Sequence, residues 1–185
     1  MFDQLSELVK QFGGEAVVNN PAVPNEQNDA VMQEAGGSIL SGLQDMVASG
    51  NINDLTGMIT GKTPIDGNNP VVKQLTEKVT GNLGEKFGLS SDAAGSVAGG
   101  LIPQILGGLV NKAKDPNQPG FNMNDLVSAI SGGQGGGGLM DAVTKYGGQF
   151  GLDQNNDGKV DMGDAMSAVT KKGGLGGLLG KLFGK

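Results

Sequence analysis

The sequence has no cysteine, no histidine, no tryptophan and no arginine, and lysine supplies all 13 of its basic residues. Without cysteine or histidine, the chain cannot form a disulfide, a thiolate or imidazole metal site, or a nucleophile–base pair built on either residue. Without arginine, it lacks the side chain best suited to bidentate contacts with phosphate or carboxylate groups. The absence of cysteine leaves the redox compartment undetermined, because a chain without thiols is stable in any of them.

Charge and hydropathy argue against two further classes of protein. The net charge is −6 and the pI is about 4.5, so we expect no nucleic-acid partner. No apolar run approaches the roughly 20 residues that span a bilayer, so we expect no transmembrane segment. Residues 1–4 open an acidic amphipathic helix instead of a basic secretory signal. We therefore expect a cytoplasmic protein by default, with export by a non-classical route left open.

The apolar residues recur at helical spacing, and no segment alternates with the period of two that is typical of strands. One predicted helix is capped by Asn69, begins at Pro70 and ends before Gly88, and Ser90 caps the helix that follows. Pro103 cannot continue a helix undisturbed, so we place a helix break at Gly99 and Gly100. The sequence therefore predicts an all-α fold, a compact array of short helices.

Residues 153–164, with the sequence DQNNDGKVDMGD, match the pattern of the EF-hand calcium loop. Oxygen-bearing side chains occupy loop positions 1, 3, 5, 9 and 12, and Gly158 occupies position 6, where such a loop turns sharply. The ligand at position 7 would be a backbone carbonyl. A hard cation such as Ca²⁺ takes about six to eight oxygen ligands. The sequence therefore predicts a Ca²⁺ site formed by Asp153, Asn155, Asp157, Lys159, Asp161 and Asp164.

Three features depart from a standard EF-hand. Position 12 is Asp164 instead of glutamate, and this shorter side chain is less able to coordinate the ion through both oxygens. Gly147 and Gly148 interrupt the helix that would lead into the loop, and we find no second loop of this kind. The alternative interpretation is an acidic, turn-rich loop that binds no ion tightly.

Three segments resemble a known family: 69–79 (NPVVKQLTEKV), 87–94 (FGLSSDAA) and 101–109 (LIPQILGGL). Together they resemble the YidB-like family of bacterial proteins, which has no assigned function. The resemblance covers about residues 1–133. It implies a compact array of short helices, and it supplies no catalytic residues because the family is not a known enzyme.

A short pattern occurs three times, at 51–60, 122–131 and 161–170. In each copy an Asn or Asp would cap a helix, and an Asp three residues later would complete a capping box. Asp161 and Asp164 therefore have a structural role open to them as caps. The residues 153, 155 and 157 precede the third copy alone, and they turn a cap into a candidate ion site.

The C-terminal part is predicted to form a separate segment. Residues 132–138 are rich in glycine, which is typical of a flexible linker, so we divide the chain into a domain at 1–133 and a segment at 134–185. Apolar residues at 175, 178, 179, 182 and 183 predict an amphipathic helix over 174–185. Residues 171–185 carry four lysines and no acidic residue. This helix would pack on its own domain or on a sister subunit, or would dock on a membrane surface or a protein partner.

These observations favour a protein without enzymatic activity, because we recognise neither a nucleophile with its base nor a phosphate-binding glycine loop. The first hypothesis is a calcium-binding structural protein that self-associates into a homo-oligomer or filament, with Ca²⁺ ordering the C-terminal segment. The alternative is a monomeric, calcium-responsive module that docks on a membrane surface or a protein partner through its C-terminal helix. In that case the net charge of −3 on the loop would attract the lysine-rich tail until an ion binds.

Overall fold

A computed structural model describes residues 2–115 and 121–132, together with positions 139, 142 and 143. Every regular element in these ranges is helical, and none of them is a strand, which confirms the all-α prediction. A π-helical segment (Gly14–Val18) follows the first helix, and a 3₁₀ turn (Asn25–Gln27) precedes the second. The helices are α1 (Phe2–Gly13), α2 (Asn28–Ala48), α3 (Ile52–Thr60), α4 (Pro70–Phe87), α5 (Ser91–Lys114) and α6 (Met123–Ile130).

Helix α4 begins and ends where the sequence predicts. The side chain of Asn69 accepts a hydrogen bond from the amide of Val71 at 2.9 Å, and Pro70 takes the first helical position. The proline ring fixes φ of Pro70 at a helical value, and the amide hydrogen that Pro70 lacks would have no partner within the helix at this position. At the other end, Gly88 adopts a left-handed conformation with φ of 67°, which a residue without a Cβ adopts at little cost.

The predicted helix break at Gly99 and Gly100 is wrong, because α5 runs without interruption from Ser91 to Lys114. Pro103 lies inside it. A proline removes the amide that would bond to the carbonyl four residues earlier, here that of Gly99. Gly99 is exposed, so water can satisfy this carbonyl. Eleven residues of α5 are buried on both sides of the proline, and this packing holds the helix in one piece.

Helix α5, with 24 residues, is longer than the two short helices that the predicted break would give. Among the described helices, α5 is long and apolar enough to cross a bilayer, with a mean hydropathy of 1.5 and 56% of its apolar window buried inside the protein. Buried core helices share these properties. Because the sequence interpretation divided α5 in two, it missed this length.

The core is formed by buried apolar residues from all six helices, with α5 at its centre. Helix α5 packs against α4, α1 and α6, and α4 in turn packs against α2. Leu101, Ile102 and Ile105 of α5 are fully buried. Leu139 and Val143, which precede the predicted calcium loop, are 1% and 0% exposed and belong to the same core.

Adjacent glycines in α5 have different surroundings. A Cβ at Gly108 would lie 2.8 Å from Cδ2 of Leu8, and one at Gly100 would lie 3.2 Å from Cβ of Ala16. These two glycines let α1 and the π-helical segment approach α5 closely. A Cβ at Gly99 or at Gly107 would meet no atom of the described residues within 4 Å.

Candidate functional site

The predicted calcium ligands, Asp153, Asn155, Asp157, Lys159, Asp161 and Asp164, lie outside the described residues, as does the predicted tail helix at 174–185. Among the described residues, no group of three or more acidic side chains is placed to hold a metal ion. The structure describes the second copy of the repeated pattern, at residues 122–131. Its cap geometry is a guide to the spacing of Asp161 and Asp164 at the end of the predicted loop.

Helix α6 begins with a complete capping box, as the sequence predicts for the second copy. Oδ1 of Asn122 accepts hydrogen bonds from the amides of Asn124 and Asp125 at 2.8 and 3.1 Å. In return, the amide of Asn122 donates to Oδ2 of Asp125 at 3.0 Å. Asn122 has extended backbone angles, φ −135° and ψ 179°, which direct its side chain back over the first turn. Three otherwise unpaired amides at the helix start are thereby satisfied.

The first copy of the pattern does not form this box, and that prediction is wrong. Asn51 precedes α3, but its side chain makes no capping hydrogen bond. Its amide instead donates to the carbonyl of Met46 at 2.9 Å, next to Gly50, whose φ is 84°. Asn51 therefore completes the C-terminal end of α2. The connection between α2 and α3 is too short for Asn51 to adopt the extended backbone of an N-cap as well. The φ and ψ angles of Asn51 are −75° and 38°.

The two copies show what the pattern needs in order to form a capping box. A long connection precedes Asn122, whereas Asn51 lies three residues after the end of α2. The third copy, at Asp161 and Asp164, is also preceded by a long stretch, the candidate loop itself. Positions 9 and 12 of the calcium pattern coincide with the cap and the third helical residue of such a box. The capping role and the ligand role are thus compatible in spacing.

Polar side chains also form a network between α2 and α4. The carboxylate of Glu34 accepts hydrogen bonds from the hydroxyl of Ser38 at 3.1 Å and from the ammonium of Lys86 at 2.6 Å. Asn82 donates to the hydroxyl of Ser38 at 2.7 Å. Two of these bonds, from Lys86 to Glu34 and from Asn82 to Ser38, join α4 to α2 and help to fix the register of the two helices.

A shallow groove lies at the other end of the same helix pair, beside the ion pair between Lys78 and Asp45. Its volume is about 120 Å³. Pockets for small molecules usually measure roughly 300–1,000 Å³, so this groove is too small to enclose a ligand of that kind. Gly42 and Leu75, which lie against each other, form part of its floor.

Among the described residues, Lys114 has a shifted pKa. Burial lowers the pKa of the Lys114 ammonium from its ordinary value of 10.5. Lys114 lies in the last turn of α5, and its Nζ would be 3.6 Å from a Cβ at Gly61, the residue that ends α3. The ammonium is therefore near the carbonyl end of α3, where a positive charge is favourable.

Comparison with known proteins gives one match. Residues 69–185 match a family model described as "Bacterial protein of unknown function (DUF937)", and this range is more than half of the chain. The match begins at the cap of α4 and includes positions 153–164, so it starts later and extends further than the resemblance at 1–133. No curated protein and no solved structure matches the chain.

Proposed function

The chain belongs to DUF937, a family of bacterial proteins of unknown function that is compatible with the YidB-like resemblance, and from this premise we propose that it is a calcium-binding structural protein without enzymatic activity. In this proposal the protein self-associates into a homo-oligomer or filament, and Ca²⁺ orders its C-terminal segment. The observation that carries the proposal is the spacing of residues 153–164, which fill every ligand position of the calcium pattern.

The capping box of α6 supports the C-terminal half of this site. It forms from a polar residue and an Asp three positions later, and Asp161 and Asp164 have the same spacing. A helix starting at Asp161 would hold the side chains of Asp161 and Asp164 in a fixed position beside the loop, and a bound cation would remove the repulsion among the acidic side chains gathered there. Ion binding and helix formation would then stabilise each other, which is how Ca²⁺ would order this segment.

The burial of Leu139 and Val143 supports a connection between the loop and the domain. Both residues are in the core, and their spacing of four places them on one helical face. An ion bound at residues 153–164 would therefore lie a short distance along the chain from an anchored position. We expect the folded domain to respond to the ion, instead of the loop acting as an isolated chelator.

Calorimetric titration with Ca²⁺ tests the site itself. We expect one ion per chain for the wild type and loss of the binding heat in the variant Asp153→Ala/Asp157→Ala. A matched control is Glu77→Ala/Glu85→Ala, which removes the same charge from the exposed face of α4. The control should bind Ca²⁺ like the wild type. A wild type that shows no saturable binding heat at millimolar Ca²⁺ would contradict the proposal.

A second candidate function follows from the charge of the tail. Residues 171–185 carry four lysines and no acidic residue, whereas the loop has a net charge of −3. In this alternative the protein is a monomer, and Ca²⁺ frees the tail to dock on an anionic membrane surface or a protein partner. Co-sedimentation with vesicles containing phosphatidylserine, with Ca²⁺ and with chelator, distinguishes it from self-association. Vesicle binding that does not depend on Ca²⁺ would rule out its membrane version.

A further inference from the structure

The capping box of α6 uses one oxygen of the carboxylate at its third helical position. Oδ2 of Asp125 accepts a hydrogen bond from the amide of Asn122 at 3.0 Å, and the box does not involve Oδ1. A cation and an amide hydrogen compete for the same oxygen, because both carry positive charge. A carboxylate at this position of a box is therefore left with one oxygen for a cation.

The cap residue differs between the second and third copies of the repeated pattern. Oδ1 of Asn122 accepts the hydrogen bonds from the amides of Asn124 and Asp125. The other terminal atom of the Asn122 side chain is Nδ2, a donor that cannot bind a cation. The third copy has Asp161 at this position, so an oxygen replaces that nitrogen. A box built on Asp161 and Asp164 would therefore keep its hydrogen bonds and leave one oxygen of each carboxylate for an ion.

This geometry limits the number of oxygens that the loop can offer. Residues 153–164 contain six ligand positions, five of them side chains and one the backbone carbonyl of Lys159. In a standard EF-hand the glutamate at position 12 binds Ca²⁺ through both oxygens and so adds one more ligand. Asp164, with its other oxygen in the box, would supply a single oxygen, which gives six in all.

The number of ligands bears on the choice between Ca²⁺ and Mg²⁺. Ca²⁺ takes about six to eight oxygens in a flexible geometry, whereas Mg²⁺ is smaller and requires a nearly ideal octahedron of about six. The two oxygens of one carboxylate lie too close together to fill two positions of that octahedron. A bidentate side chain at position 12 therefore favours Ca²⁺, and a side chain that supplies one oxygen removes this preference.

We propose that the loop at 153–164 binds Mg²⁺ in competition with Ca²⁺, and that Asp164 at position 12 is the residue that permits this. The inference rests on the proposed calcium site and names a second ion for it. Where Mg²⁺ is in excess, it would occupy the loop, and a higher concentration of Ca²⁺ would be needed to order the C-terminal segment.

The test is calorimetric titration of the full-length protein with Ca²⁺, without Mg²⁺ and in about 10 mM Mg²⁺, with NaCl keeping the ionic strength equal. We expect Mg²⁺ to raise the apparent dissociation constant of the wild type for Ca²⁺ at least about tenfold. Asp164→Glu introduces a side chain that can supply both oxygens, so Mg²⁺ should raise its dissociation constant by less than about threefold. The matched control is Asp125→Glu, the same substitution at the equivalent position of the second copy, and it should respond to Mg²⁺ like the wild type.

The outcomes separate this inference from the proposed function. If Ca²⁺ binds and Mg²⁺ leaves its dissociation constant unchanged, the inference is wrong while the calcium site stands. If Mg²⁺ competes equally well in Asp164→Glu and in the wild type, position 12 does not set the choice of ion and the role given to Asp164 is wrong. If the wild type shows no saturable binding of Ca²⁺ without Mg²⁺, the site and the inference both fail. Far-UV circular dichroism and urea unfolding confirm that each variant is folded.

Discussion

Replacing two adjacent glycines of α5 by alanine separates helix propensity from packing. Both Gly107→Ala and Gly108→Ala should gain about 1 kcal/mol from propensity, since both lie inside the same helix. At Gly107 the new Cβ meets no atom within 4 Å in the part of the chain that the structure describes, so this gain should be retained. At Gly108 the new Cβ lies 2.8 Å from Leu8, a side chain only 2% exposed and enclosed by the core.

Leu8 must move to accept this methyl group, and overpacking of a core typically costs about 1–3 kcal/mol. We therefore expect Gly108→Ala to be less stable than Gly107→Ala by about 1–3 kcal/mol, while Gly107→Ala is more stable than the wild type. For a chain of this length the difference corresponds to roughly 2–4 °C in the melting temperature per kcal/mol.

Urea unfolding followed by circular dichroism at low micromolar concentration measures both variants, and the low concentration keeps association out of the comparison. Equal stabilisation by the two substitutions would refute the packing described for α1 against α5. A double variant that also shortens Leu8 to alanine provides the check. It should remove the extra cost at Gly108, since the clashing atoms are gone.

Three further predictions concern the caps, the half-buried Lys114 and the loop. Asn122→Ala should destabilise the protein by about 1 kcal/mol, because it removes the cap of α6. Asn51→Ala removes no capping bond and should change the free energy of unfolding by less than about 0.5 kcal/mol. Equal effects of the two substitutions in urea unfolding would contradict the two cap geometries. Burial lowers the pKa of Lys114 in the folded state, so the stability of the wild type should rise as the pH rises through the folded pKa towards 10.5. Lys114→Gln removes the half-buried charge, and the gain in stability over the wild type should be largest at neutral pH and smaller in alkaline solution. Thermal unfolding between pH 7 and pH 10 tests this, and an advantage that grows with pH would reverse the sign of the argument. Asp164→Glu should raise Ca²⁺ affinity in calorimetry, because the longer side chain can supply both oxygens; an unchanged or weaker affinity would mean that position 164 is not a ligand.

The sequence allowed the ends of some helices to be predicted, and it failed where packing outweighed local chemistry. Asn69 with Pro70 and Ser90 mark the starts of α4 and α5 through hydrogen bonds made within one helical turn, so local residues suffice. The continuity of α5 through Pro103 depends on burial along both halves of the helix. That burial comes from the packing of α1, α4 and α6 against α5, which residues within one helical turn of Pro103 do not determine.

The repeated pattern illustrates the same division. Asn51 and Asn122 begin equivalent sequence copies, yet only Asn122 has the extended backbone that a cap requires. The difference lies in the chain before the pattern, where the end of α2 leaves Asn51 too little room. For the candidate site, residues 153–164 form a local motif from which the types of ligand and their spacing can be predicted. Whether residues 153–164 bind an ion remains a prediction, as does the absence of enzymatic activity.

The measurement that tests the central claim most directly is size-exclusion chromatography with light scattering, in Ca²⁺ and in chelator. The samples are the wild type, Asp153→Ala/Asp157→Ala and the charge-matched Glu77→Ala/Glu85→Ala. We predict that Ca²⁺ increases the mass of the wild type and of the α4 control, and leaves the loop variant unchanged. A wild type of one constant monomeric mass in both buffers would contradict calcium-coupled self-association.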